Sequence, residues 1–184
     1  MRKRGLEIDF DVDGIKSIIS QFQASEKQVT AALRTTYNRM GRWVRTRAMR
    51  GLSSELKIQQ AILRSRVRSF RFQGGISKKG EGAKVWFGLR PIPLSRLNAR
   101  KARGGVRAAG GRYVEGAFIA NYHGRRQVLK REGRARFPVN VVYAEIAEKS
   151  QLYIEDELLG VGPFESQFLK FFEHELKWRT QILK

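Results

Sequence analysis

Apolar and polar positions change period several times along the chain, and each change marks an element. Leu6, Ile8, Phe10 and Val12 alternate with Glu7, Asp9 and Asp11, the period of two of a half-buried strand. Ile15, Ile18, Ile19 and Phe22 then fall on one helical face, with Asp13 placed to cap it. Ser25 and Gln28 have the spacing of a capping box. Val29, Ala32, Leu33, Met40, Trp43, Val44 and Ala48 continue at helical spacing to about Arg50, which predicts the longest helix of the chain. Its other face carries Arg34, Arg39, Arg42, Arg45 and Arg50, a cationic side on an amphipathic helix. A third helix is expected over residues 54–67 from Leu56, Ile58, Ile62, Leu63 and Val67, although these define no clean stripe.

From residue 69 the texture becomes extended. Phe70 and Phe72 flank Arg71, residues 74–82 read as a turn or hairpin loop, and Val85, Phe87 and Leu89 alternate before Pro91 and Pro93 close the strand. Residues 96–112 hold Arg96, Arg100, Lys101, Arg103, Arg107 and Arg112 among Gly104, Gly105, Gly110 and Gly111. So few apolar side chains cannot offset the ordering entropy of this tract by themselves, and it reads as a mobile basic loop. Strands are expected at 117–122, 127–130 and 139–146, the first two joined by a tight turn at His123-Gly124. Helices return at 149–159 and, after Gly160-Val161-Gly162-Pro163, run to the C-terminus. There Phe164, Phe168, Phe171, Trp178 and Ile182 recur at successive turns and Phe172 widens the stripe, which suits a core or subunit interface rather than a cofactor box.

With strands gathered between helical blocks and no βαβ alternation, the expected class is α+β. Its order is an N-terminal strand and helices, a central antiparallel β-sheet with a basic loop, and C-terminal helices. Length and the absence of an internal repeat predict one domain over residues 1–184, mainly helical over 1–68, β-rich over 69–148 and helical over 149–184.

Charge changes what this fold is expected to do. The 184 residues include 37 Lys and Arg against 17 Asp and Glu, a formal net charge of +20. Residues 34–136 hold 27 of the basic side chains and only Glu55, Glu81, Glu115 and Glu132 as acids, whereas the stretch from Phe137 onward is slightly acidic. A charge this large repels itself unless a polyanion neutralises it, and its placement assigns one face or arm to phosphate. The bland alternative is a solvated basic surface. The absence of cysteine excludes disulfides and thiolate metal sites. The basic start lacks the continuous apolar region of a signal peptide, and no apolar run approaches the roughly 18 residues that span a bilayer. The expectation is a protein without membrane contact, soluble or built into an assembly from the cytoplasm.

Catalytic chemistry has little to stand on. His123 and His174 have no metal-ligand spacing, there is no phosphate-cradling loop, and the glycines of the basic tract do not follow a strand and open a helix. A small nuclease needs several carboxylates converging on metal ions; Glu115 is the least unsuitable of the four in the basic region, and it reads better as structural. Glu155, Asp156 and Glu157 are consecutive on a predicted helix, diverge, and form a solvated or partner-facing patch. No catalytic residue, cofactor or metal is expected. For nucleic acid the chain offers charge with little readout apparatus: no zinc finger, homeodomain-like or RNP-type sequence, and aromatic residues mostly placed on apolar faces rather than among the arginines. That predicts phosphate contact without sequence specificity, through Arg96, Arg100, Lys101, Arg103, Arg107, Arg112, Arg125 and Arg126.

The segment Gly116-Ala117-Phe118-Ile119, then Gly124, Val128, the basic tract 131–136 and Phe137-Pro138-Val139-Asn140-Val141-Val142, resembles the minor tail protein Z family of tailed bacteriophages, the lambda-type tail completion proteins. The likeness covers residues 112–184; over the first hundred it lies in charge and helix order. It implies a structural virion component at the head-proximal end of the tail, assembled in the host cytoplasm. Its partners would be tail tube, tail terminator and head-tail connector proteins and, without sequence preference, viral DNA. By analogy with other tail parts near the head it implies a homo-oligomeric ring. Arg39 and Arg42 of the cationic helix and Phe164, Phe168, Phe171 and Trp178 of the last helix are the candidate subunit contacts. The charge alone equally suits a free, sequence-independent nucleic-acid-binding protein, ribosome- or nucleoid-associated.

Overall fold

The computed structural model of the protein describes residues 12–69, 85–159 and 162–182. The strand expected at residues 6–12 lies outside them except for Val12, which opens helix α1 (Val12–Phe22), so Asp13 sits within the first turn instead of preceding it. Helix α2 (Glu26–Leu56) starts as the sequence predicts. The backbone N–H of Ser25 donates to Gln28 Oε1 at 2.9 Å and that of Gln28 to Ser25 Oγ at 3.4 Å, the reciprocal pair that satisfies two orphan donors of a helix N-terminus. Its buried positions Ala32, Thr36, Met40, Val44, Ala48, Leu52 and Leu56 recur every four residues. At 3.6 residues per turn such a stripe winds by about 40° per step, so α2 buries a different side at its two ends.

The end of α2 corrects the expectation of a separate helix over 54–67. The chain stops at Lys57, whose φ of 52° is left-handed. The N–H of Lys57 donates to Ser54 O at 3.3 Å and that of Ile58 to Ser53 O at 3.1 Å, closing a Schellman motif. Burial of Ile58, at 2% exposure, holds the chain in this turn. Only the short α3 (Gln60–Leu63) follows, and Val67 already belongs to strand β1 (Val67–Ser69).

The chain gathers into two compact units, Met1–Met49 with Val67–Phe87 and Ile154–Lys184, and Arg50–Arg66 with Gly88–Tyr153. They cut across the three sequence blocks because α2 runs from one into the other. In the first unit β1 pairs antiparallel with β2 (Val85–Phe87), Arg68 standing opposite Trp86; the expected strand at Phe70–Phe72 and the loop at 74–82 lie outside the described residues. Its core is made by Ala32, Leu33, Met40, Val44 and Ala48 of α2 against Phe164, Phe168, Phe172 and Leu176 of α5 (Pro163–Lys177), which continues as a π-helical turn over Trp178–Ile182.

The second unit holds the remaining strands: β3 (Ile92–Pro93), β4 (Arg100–Ala102), β5 (Gly105–Ala108), β6 (Arg112–Glu115), β7 (Ala117–Tyr122), β8 (Arg125–Arg131), β9 (Val139–Val141) and β10 (Tyr143–Ala144). They form the antiparallel sheets β4-β5-β6 and β7-β8-β9 and the pair β3-β10. Pro93 therefore lies within a strand rather than after one, in a two-stranded ladder where its missing donor is tolerated. Helix α4 (Ala147–Leu152) leads into a π-helical turn, Tyr153–Leu158, close to the helix expected at 149–159. The fold is α+β, and every strand pair among the described residues is antiparallel.

Candidate nucleic-acid interface

The basic tract at 96–112 is not a loop. Leu94, Leu97 and Ala99 are buried and anchor its start; the chain then forms β4, β5 and β6, with Val106 fully buried at the centre. Arg103-Gly104 closes the first hairpin and Ala109-Gly110-Gly111 the second, with φ of +77° at Gly104, +78° at Gly110 and +70° at Gly111, where a side chain is strained. The glycines read as flexibility are the turn residues that permit the meander. Gly105 has a different reason: a Cβ there would stand 2.2 Å from Val114 O, inside the neighbouring strand's backbone. The tract has too little apolar surface to fold alone, but the rest of the unit covers Val106 and Ala99, which offsets its ordering entropy.

This folding sorts the eight predicted cations. Arg96, Arg100, Lys101, Arg103, Arg107 and Arg125 are exposed and make no ion pair among the described residues. Arg112 is turned inward: its Nη1 donates to Ala109 O at 2.7 Å and its Nη2 to Leu56 O at 3.0 Å, so it ties the second hairpin to the end of α2 and is a structural residue, not a phosphate contact. Arg126 is exposed along much of its length, but its Nη2 donates to Ala99 O at 3.1 Å. With Ser95 Oγ donating to Gln127 Oε1 at 2.9 Å, this bond draws β8 against residues 95–99 and so brings Arg96, Arg100 and Arg126 into one region. The turn His123-Gly124 is the expected tight one: both residues have positive φ, 48° and 72°, the type I′ geometry that matches strand twist and places Arg125 opposite Tyr122.

Several contributors were not anticipated. Arg131, Arg134 and Arg136 extend the exposed basic surface around the β8–β9 connection. The aromatic residues, expected away from the arginines, stand among them: Tyr113 is 45% exposed with the Arg107 guanidinium carbon 5.8 Å from its ring centroid, Phe137 is 65% exposed with Arg136 at 5.7 Å, and Arg131 lies 4.6 Å over Phe118. Arg136 and Phe137 are neighbours in sequence, but the other two pairs join residues six and thirteen apart and follow only from the strand pairing. Arg66 is a second structural arginine, donating to the carbonyls of Gly88 at 3.1 Å and Pro91 at 3.4 Å. Burial and then the nearby Arg96 charge hold its pKa below the usual arginine value. The second unit as a whole carries 18 Lys and Arg against five Asp and Glu, so most of the +20 resides there.

The candidate subunit contacts divide differently. Phe164 and Phe168 are interior: Phe164 meets Trp43 edge-on at 6.3 Å, and Phe168 packs on Tyr37 at 5.7 Å and stacks on Phe172 at 6.3 Å. They build the core of the first unit and are not on offer to another subunit. Arg39 is also directed into its own chain, bonding Glu175 Oε1 at 2.7 Å and lying 4.5 Å over the Phe171 ring. Arg42 and Trp178, the latter 41% exposed, do face solvent. Glu175 also accepts from Arg179 at 2.5 Å, and Arg179 Nη2 donates to Thr35 Oγ1 at 2.9 Å, so the cationic face of α2 is partly neutralised by α5. Burial pushes the Glu175 pKa up, but the hydrogen bonds from Arg179 and Arg39 outweigh it and hold the carboxyl below the usual range.

Among the described residues no group of three His, Asp or Glu side chains is placed to hold a metal, and no helix is long and apolar enough to cross a membrane. Glu115 is exposed on β6 with no second carboxylate beside it in the register. The chain matches no protein-family model, no curated protein and no solved structure.

Proposed function

We propose that this chain is a non-catalytic structural protein whose second unit holds nucleic acid through phosphate contacts, without reading sequence. The observation that carries the reading is the set of exposed cations Arg96, Arg100, Lys101, Arg103, Arg107 and Arg125, without ion pairs among the described residues and held on an ordered scaffold by structural arginines. Ordered cations lose less entropy on meeting phosphates than a mobile loop would, and no groove-reading helix stands among them. The finer assignment follows from the resemblance over residues 112–184: a tail completion protein of a phage virion, at the head-proximal end of the tail, in contact with neighbouring tail and neck proteins as a ring and with the incoming DNA.

Fluorescence anisotropy with duplexes of unrelated sequence tests the first part. Equal affinities are expected, with log K falling against log salt at a slope of about −5 if six phosphates are contacted. Arg100→Glu with Arg103→Glu is expected to cut affinity while leaving the circular dichroism unchanged; unaltered affinity in that variant refutes the site. Electron cryomicroscopy of phage particles that carry the protein tests the second part. Density around the tail entrance supports it, and absence from complete virions with the chain bound to cellular nucleic acid favours a free binder, the reading that the charge alone suits equally well.

A further inference from the structure

The β4-β5-β6 sheet has one covered and one open face. Val106 is fully buried and Val114 half-buried on the inner side, while Arg100, Arg107, Tyr113 and Glu115 are exposed on the other. The register sets Arg100 opposite Arg107 and Arg107 opposite Tyr113, so these three side chains form a row across the sheet, with neighbouring Cβ atoms about 5 Å apart. Like charges directly opposite one another are unfavourable. Neither arginine has a carboxylate partner among the described residues, and Glu115 lies one row away, opposite Gly105. Among the described residues the row therefore meets no anion that would neutralise it.

Tyr113 adds a requirement that phosphate alone does not meet. Its hydroxyl donates to Arg103 O at 2.9 Å, which pins the ring to the adjoining turn, and the ring is 45% exposed. The Arg107 guanidinium sits at the outer edge of cation–π range, 5.8 Å from the centroid, and leaves much of the ring uncovered. A duplex keeps its bases stacked on one another and offers such a ring nothing. An unpaired strand offers a π-face, with its phosphates next to it.

We propose that the Arg100–Arg107–Tyr113 row is a subsite for single-stranded nucleic acid, in which a base stacks on Tyr113 and the adjoining phosphates lie against Arg100 and Arg107. The inference rests on the nucleic-acid reading above and narrows it to an unpaired strand or strand end. Pinning of the ring by Arg103 O means that little side-chain freedom is lost when a base stacks there.

The test uses the full chain with a labelled short oligothymidine and a duplex of the same length. Tyr113→Leu is expected to weaken oligothymidine binding about tenfold and duplex binding by less than about twofold, while Tyr113→Phe, which keeps the ring, stays near wild type. Independently of any variant, photocrosslinking of a bromouracil-substituted oligothymidine to the wild-type chain is expected to label Tyr113. Equal losses on both substrates, or an oligothymidine affinity indifferent to Tyr113 with no crosslink there, overturn the subsite and leave the phosphate-binding reading standing. Failure of the wild-type chain to bind either nucleic acid overturns that broader reading, and the subsite with it.

Discussion

Replacing Glu175 with glutamine removes one charge from the centre of the first unit while keeping the side chain's shape. Glu175 is 12% exposed and accepts two charge-assisted hydrogen bonds, from Arg39 at 2.7 Å and Arg179 at 2.5 Å. Hydrogen bonds to charged groups contribute about 1.5–3 kcal/mol each, and a glutamine retains one acceptor and turns a donor toward the other guanidinium. Arg39, at 32% exposure, recovers part of its loss by hydration. The net cost near neutral pH is therefore about 2–3 kcal/mol. Because the folded-state pKa lies below the ordinary 4.5, the carboxylate's contribution is complete above that value and fades as pH falls through the lower folded value. The assay is urea unfolding followed by tryptophan emission, which reports this unit alone because Trp43, Trp86 and Trp178 all belong to it. Wild type and Glu175→Gln should differ by about 2–3 kcal/mol near pH 7 and converge below the carboxylate range, where both side chains are neutral. A difference that persists unchanged in acid, or one below about 1 kcal/mol at neutral pH, refutes the account of a carboxylate clamped by two arginines.

Two further outcomes separate scaffold from surface. Arg112→Ala is expected to cost about 2–3 kcal/mol by freeing the carbonyls of Ala109 and Leu56, seen as a lowered thermal midpoint, in contrast to the exposed arginines of the same tract, whose loss should change only binding. Phe168→Ala, at a site 1% exposed, should destabilise the chain by about 3–5 kcal/mol in denaturant titration without a change of oligomeric mass that precedes unfolding; dissociation of a folded oligomer would return Phe168 to a subunit interface.

Some elements were legible because their signals are local. The capping box of Ser25 and Gln28 and the His123-Gly124 turn each depend on residues within a few positions, and the chain forms both as its chemistry demands. The aromatic period of the last helix identified Phe164, Phe168 and Phe172 as buried, although Trp178 of the same stripe faces solvent, but not what covers them; Trp43 and Tyr37 supply contacts to Phe164 and Phe168 from more than a hundred residues away. The end of α2 was illegible for the opposite reason. Lys57 occupies a left-handed position where glycine is the usual signal, and the turn is held instead by burial of Ile58.

The sequence by itself determined the class of the fold, the periods of its helices, and a net charge of +20, since all three depend on composition and near neighbours. Only tertiary structure decided which arginines are available. Arg112 and Arg100 have the same chemistry in the same tract, yet one meets the carbonyl oxygen of Leu56 and the other meets water. The difference is set by strand register and by a helix end 56 residues away, because alternation across a strand sends neighbouring side chains to opposite faces and long-range packing selects which face is covered.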